Sequence, residues 1–450
     1  MKEILDLQFF ANGANTVVNY TGDTSDSYAG AINTTADPPA NAGTDLQAEM
    51  KTFYSKSLLK DAKPYLVHDQ FGEKHPIPRG SGKNIEWRKF SKLPKAIKPI
   101  TEGVTPAGKK MSVSTVTARV EQYGDYIETT DQIQVAAIDP IVVEATEELS
   151  TQAGLTLDTI TRDEINSGTN VFWSKKYSGG SYTNVTSRKD ITGACPLTVK
   201  DVFKAATKLK NMNAPKFGDS YVAIINPMMS NALMMDAGTQ WLDISKYAQP
   251  EQILRGEIGK VGGVRFVEST EAKIFGPTVI SDGLTRLTVK TSLVESGTSL
   301  TVNEVLTAGT YSGTAKIPVY INGTANYITA IANNSTYSTL TLESSVNTTD
   351  GAAGKIICGS TGEDLNPACG KDGSAVFSTL FLAKGAYGVT DLEGMGLEHI
   401  VKPLGYGNDP LNQRASVGWK AMKAAKILHD EYIVRVESGS EEFSASAESN

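Results

Sequence analysis

Residues 139 to 167 constrain this chain more than any other stretch, because they read as one long helix with both ends specified. Asp139 can cap the first turn with its carboxylate, Pro140 suits the first helical position where no amide donor is needed, and Gly168 can end the helix left-handed. Val142, Ala145, Leu149, Ala153, Leu157 and Ile160 recur at three- and four-residue spacing, whereas Glu144, Glu147, Glu148, Asp158 and Arg162 fall largely elsewhere. At roughly 1.5 Å per residue the helix is about 40 Å long, more than one ordinary compact domain spans, so it reads as a spine with Val142, Leu149, Leu157 and Ile160 as its core positions.

The 450 residues, 40% hydrophobic, can bury a large core divided among about two to four domains. No run of about 18 apolar residues offers a membrane-spanning helix, and Met1 to Ala11 lacks the pattern of a secretion signal. Cys195, Cys358 and Cys369 form no close CxxC pair, and their odd number fits a reducing compartment. A net charge of -7 argues against general nucleic-acid affinity.

Residues 1–44 are polar apart from the LQFFA cluster and a few scattered apolar side chains, and read as an extended arm; Leu46, Met50, Phe53 and Leu58 mark a helix beginning at Thr44. Residues 76–110 are rich in proline and basic, with Arg88, Lys89 and Lys92 at their centre; such a segment can bind phosphate, but is read in preference as a solvated arm that meets acidic surfaces of neighbouring subunits. Within it Ile85 and Trp87 share a face of an alternating strand. Met111–Val120 and Tyr123–Thr129 read as a second strand pair bending at Gly124, so that a long hairpin projects before the spine. Beyond the spine, Gly179-Gly180 marks a turn, Thr198 caps a helix with Val199, Val202, Phe203, Ala206 and Leu209 on one face, and Tyr221–Ile225 reads as a buried strand followed by a helix from Asn226-Pro227. Residues 277–373, dense in Thr, Ser, Val, Tyr and Gly, predict a sandwich or barrel of short strands inserted into an α/β host. Arg414–Glu437 closes in strands, and residues 438–450 read as a polar tail.

The chain shows no constellation for catalysis, so an enzyme is not expected, and neither a cofactor nor a metal is called for. Gly80-Ser81-Gly82-Lys83-Asn84 lacks the leading glycine of a phosphate loop and places Asn84 where a hydroxyl belongs. His68, His75, His399 and His429 have no ligand spacing and read as solvent-facing or packing residues. There is no GxSxG elbow or GxGxxG fingerprint.

Several separate stretches, in order, carry a family resemblance: KPYLVHDQFG to IPRGSGKNIEWRKFSKL, ITEGVTP, VEQYGDYIETTDQI, the IDP that opens the spine, GEIGKVGGVRFVEST, FLAKGAYGVTDLEG and GNDPLNQRASVGWKAMKAAKILHDEYIVRVES. Over roughly residues 44–276 and 374–437 the chain resembles the major capsid proteins of tailed double-stranded DNA bacteriophages, in particular the coat proteins of N4-like phages. The resemblance implies an α+β capsid fold. Its peripheral domain would comprise 45–75, 111–195 and 406–437; its extended loop, with Trp87, Arg88, Lys89 and Lys92 as interface residues, 76–110; its axial domain 196–276 and 374–405. Residues 277–373 would be an added sandwich-like domain, absent from compact members. The implied function is self-assembly, in the bacterial host cytoplasm, into hexamers and pentamers of an icosahedral head. It would enclose DNA without sequence-specific binding and work with scaffold, portal and head-completion proteins. The Thr-rich block suggests the alternative, a secreted or cell-surface β-rich adhesin.

Overall fold

The computed structural model describes residues 66–90, 108–136, 141–237, 257–322, 324–360, 369–394, 396–406 and 411–450, with isolated positions between 93 and 102. The expected arm at 1–44, the helix from Thr44, and the Asp139-Pro140 start of the spine lie outside these residues. Four α-helices are described: α1 (Asp131–Ala136), α2 (Ile141–Asn166), α3 (Val199–Asn211) and α4 (Pro227–Ala237).

The spine, α2, runs for 26 residues and is about 39 Å long. Its middle packs on the first sheet, where Leu149, Ala153 and Leu157 bury against Val417, Trp419 and Ala421, with Val142 and Ile160 half-buried beside them. Its last turn reaches the second sheet, where Ile165 packs with Val222, Ile224, Val267 and Leu380. One helix thus ties two sheets together, which a shorter helix could not do.

The first sheet has five strands among the described residues, in the order Glu73–Lys74, Tyr387–Thr390, Arg414–Ile427 and Leu397–Lys402, with Glu121–Thr130 also paired to Arg414–Ile427. The second has seven: Val171–Trp173, Ile433–Ser438, Val376–Leu382, Tyr221–Ile225, Val264–Glu268 and Glu257–Val261 in order, with Ile274–Phe275 against Val376–Leu382. Tyr221–Ile225 is apolar at every position because both of its faces are covered. Tyr221, Ala223 and Ile225 meet α3 and α4, and Val222 and Ile224 meet the end of the spine. The Thr198 side chain and Asp201 form a capping box for α3, and Asn226 receives the Met228 amide at the start of α4. The expected turn at Gly179 and Gly180 is present, both with positive φ, between Lys176–Ser178 and Ser181–Thr183.

Several expectations are corrected. Strand Val113–Arg119 pairs with Asn84–Phe90, not with its sequence neighbour Glu121–Thr130, which instead lies along Arg414–Lys423. Gly124 is not a bend: it sits in regular register opposite Lys420, where a Cβ would come within 2.5 Å of the Trp419 carbonyl oxygen. Gly168 does not adopt positive φ; glycine is needed there because a Cβ would lie 2.9 Å from the Asp430 carboxylate, which accepts from the Thr169 amide. Phe203 is 48% exposed, lying over Gly262 at the edge of the α3 core. Sheet membership also crosses residue 405/406, since Leu397–Lys402 pairs with Arg414–Ile427 while Ile433–Ser438 pairs with Val376–Leu382.

Asp158 and Arg162, expected on the polar side of the spine, are buried. The Asp158 carboxylate takes the His68 main-chain amide at 2.8 Å and faces His68 Nδ1 at 2.6 Å. Beside them Lys423 donates to Asp69 and to the Leu157 carbonyl, Thr161 donates to Asp69, and Tyr387 donates to the His68 carbonyl. Burial, with Asp69 and Asp158 nearby, pushes the Tyr387 hydroxyl well above its usual value. A second buried group forms where Arg188 and Arg435 converge on Glu437, with Arg188 stacked 3.5 Å over the Phe275 ring.

The third sheet is the β-rich block. Its order is Arg286–Thr288, Ile356–Gly359, Ile317–Ile321, Thr324–Asn333, Ser338–Val346 and Gly297–Val302, with Gly309–Thr310 on Thr324–Asn333. The ends of this order meet through a Val289–Val302 bridge and the Lys290 amide to Thr301 carbonyl bond, so the sheet closes into a small barrel. Alternate residues including Leu287, Leu300, Val319, Ile328, Leu340 and Ile357 fill its interior. Residues 438–450 do not trail as a free tail: Ser440, Ser444 and Ala447 are buried, Arg286 Nη2 donates to the Ala447 carbonyl, and Asn450 pairs with the backbone of Ile274 and Ala272.

Candidate assembly surfaces

The two-stranded hairpin Asn84–Phe90 with Val113–Arg119 is a separate small sheet that packs on the first sheet through Ile85, Trp87 and Ala118, and is paired in unbroken register from Asn84–Arg119 to Phe90–Val113. Strand alternation divides its side chains. Ile85, Trp87 and Lys89 turn toward the body; Arg88 and Phe90 turn outward. Trp87 lies across Gly388, where a Cβ would sit 2.9 Å from the indole, and its buried Nε1 has no hydrogen-bond partner among the described residues. Lys89 joins Glu73, His75, Trp87 and Lys384 around an open cavity of about 440 Å³. Arg88 is paired at 3.2 Å with Glu86 of its own strand, with both side chains substantially exposed. Of the four expected interface residues, Arg88 faces solvent, Trp87 and Lys89 face this chain's own sheet, and Lys92 lies outside the described residues.

The outer end of the hairpin carries a feature that the emphasis on charge missed. Phe90 is 56% exposed, its partner Val113 and nearby Met111 are exposed, and Leu93 and Ile97 farther along the sequence are exposed as well. Phe90 and its cross-strand partner Val113, with Met111 just before the strand, give the end of the hairpin an exposed apolar surface. The sequence signal was available in FSKLPKAI, where Phe90, Leu93 and Ile97 alternate with lysines.

The first sheet also leaves one face open. Opposite the spine, Gln122, Tyr126, Ile400, Lys402, Gly418 and Lys420 line an open groove of about 630 Å³, with Tyr126 66% exposed. Gly418 lets Tyr126 cross it: a Cβ there would lie 2.7 Å from the Tyr126 Cβ. On the other face, the side of the spine, Glu121 and Asp125 of the strand and Glu144, Glu147 and Glu148 of α2 are exposed carboxylates. A hydrogen bond from Gln152, joined by the Tyr126 amide, holds the Asp125 carboxyl below the usual range.

The histidines occupy unlike settings: His68 faces Asp158, His75 lies 3.5 Å from Glu73, His429 stacks on Tyr432, and His399 is buried. Among the described residues no group of three or more His, Cys, Asp or Glu side chains is arranged to hold a metal, and no helix is long and apolar enough to cross a membrane.

Residues 113–299, which run from the hairpin through the spine and into the barrel, match the family described as phage capsid protein. Among curated proteins no match is found. Among solved structures the chain is similar to the capsid of Ralstonia phage GP4, at 10% identity over 83% of this chain and 88% of that one, with a TM-score of 0.49. The capsid of cyanophage P-SCSP1u gives 12% identity over 83% and 88%, with a TM-score of 0.47. A virus-like particle from Pyrococcus furiosus gives 10% identity over 86% and 99%, with a TM-score of 0.39. All three TM-scores are too low for the overall shapes to be equated. The family match therefore covers residues 113–299, somewhat under half of the chain.

Proposed function

We propose that this chain self-assembles as hexamers and pentamers into an icosahedral head that encloses double-stranded DNA, with the basic, apolar-tipped hairpin of one subunit laid on the acidic strand and spine face of the next. The family match over residues 113–299 carries the reading, and complementary charge on the two surfaces supports it. The hairpin exposes apolar side chains that a monomer has no reason to leave in water, and the spine side of the first sheet offers exposed carboxylates to its basic residues. The finer assignment to N4-like coat proteins rests on the ordered sequence stretches alone. Scaffold, portal and head-completion proteins follow from that same assignment, as does a division into peripheral and axial domains.

Residues 277–373 are read as an insertion. The incoming strand Ile274–Phe275 and the outgoing strand Val376–Leu382 are antiparallel neighbours, Ile274 opposite Phe377, so the host sheet is continuous across the base of the barrel. The barrel also has an apolar core of its own. Negative-stain microscopy and size-exclusion chromatography of the purified chain test the assembly: shells or rings are expected, and a stable monomer under all assembly conditions would sink the proposal.

A further inference from the structure

Cys358 and Cys369 meet at the seam between the barrel and the second sheet. Cys358 lies on Ile356–Gly359, the strand that joins Arg286–Thr288 to Ile317–Ile321 in the barrel. Cys369 lies on the return segment that leads into Val376–Leu382. Their sulfur atoms are 2.9 Å apart, within about 1 Å of the length of a disulfide. Both side chains are buried, in a small cluster with Tyr320. The third thiol, Cys195, sits in a different cluster with Ile191 and Val376, where it accepts from the Thr192 amide.

We propose that Cys358 and Cys369 are a modification site, a thiol pair that oxidises to an intramolecular disulfide and fastens the barrel's seam strand to the return segment. In a reducing compartment the pair stays as two thiols. With hydrogen peroxide as oxidant, one thiolate attacks the O–O bond to give a sulfenic acid and hydroxide, which takes up the released proton as water. The second thiol displaces the sulfenic oxygen as a second water, leaving the S–S bond; two thiols are oxidised and one peroxide is reduced. Peroxide is small enough to reach a buried pair through local opening. The hydrogen bond to Cys369, together with burial, pushes the Cys358 thiol far up, with Asp372 acting in the same direction and Arg286, its opposite number in register, acting against. Little thiolate is therefore present at neutral pH, so the latch sets slowly and faster as pH rises.

The test uses the full chain, reduced and then exposed to hydrogen peroxide, with thiols titrated after unfolding and peptides mapped by mass spectrometry. The expected result is a fall from three titratable thiols per chain to one, with Cys195 remaining and the Cys358 and Cys369 peptides linked. Three remaining thiols, linkage between chains, or over-oxidation of either cysteine without linkage would overturn the proposal. Melting supplies the second measurement: oxidised wild type should melt higher than reduced, dithiothreitol should reverse the gain, and Cys358→Ser and Cys369→Ser should show no gain. A disulfide that forms without raising the melting temperature would overturn its role as a latch.

Discussion

At Asp158 one carboxylate holds two donors of the same residue, the main-chain amide and Nδ1 of His68, both out of water. Asp158→Ala leaves both groups buried without that acceptor, and the expected loss is about 3–5 kcal/mol, read as a lower urea midpoint. Leu149→Asp places an unpaired carboxylate against Val417 and Trp419, with an expected loss of several kcal/mol, about 3 or more, and insoluble protein; soluble, assembling protein would contradict the packing. His399 supplies a pH dependence. Burial holds its imidazole below the usual 6.5, so the unfolded chain takes the proton more readily. Stability is therefore full above about pH 6.5 and falls as the pH drops through that value toward the folded pKa. Melting temperatures between about pH 7 and 5 should decline less steeply in His399→Gln, and an unchanged slope would exclude His399 as the cause. Apolar periodicity made Leu149 legible in the sequence, but not Asp158. A helical pattern treats a carboxylate as solvated unless a partner is known, and here the partner lies 90 residues away.

The hairpin element was legible from the alternation of Asn84–Phe90, but its pairing was not. Two β-rich runs adjacent in sequence suggest a hairpin on local grounds alone. Val113–Arg119 and Glu121–Thr130 instead separate at Val120, which is buried with Met422 and Ala424, and the second run pairs with a strand almost 300 residues on. Alternation also refines the test of the loop's charges. Reversing Arg88 should weaken assembly more than reversing Lys89, which faces this chain's own cavity, and neither should unfold the monomer. Circular dichroism and particle counts read the two effects, and the loss should deepen at high salt as the remaining ion pairs are screened. Substituting Phe90 and Ile97 with Ser should reduce particle yield as well, since it removes two exposed apolar side chains. Normal yields from both sets of variants would leave the hairpin without a part in assembly.

For the whole molecule, the decisive variant replaces residues 277–373 with a short Gly-Ser linker. Loop closure grows slowly with length, and Ile274–Phe275 already lies beside Val376–Phe377, so the two-sheet body should fold and build shells of unchanged diameter with less outer density. The same deletion removes Arg286 from the Ala447 carbonyl, so some loosening of residues 438–450 is expected. A large drop in melting temperature assigns the barrel a stabilising role. An unchanged melt with weaker adsorption to host cells assigns it a binding role, and failure to fold refutes the insertion. The barrel's strands were legible because each alternates over a few residues, whereas its closure was not, since that depends on Val289 meeting Val302 across the whole block. The buried course of residues 438–450 was hidden by their polarity: Ser440, Ser444 and Asn450 earn their places through main-chain hydrogen bonds, which hydropathy does not register.

The pairing of Ile274 with Phe377 has a practical corollary. Neighbouring antiparallel residues stand about 5 Å apart, so the two-sheet body presents a socket whose ends are already in register. Any small domain whose termini lie at that spacing can in principle be grafted there, and every subunit would display one copy. The geometry makes the chain a candidate scaffold for ordered multivalent presentation, in which the number of copies is set by the shell and not by chemical coupling.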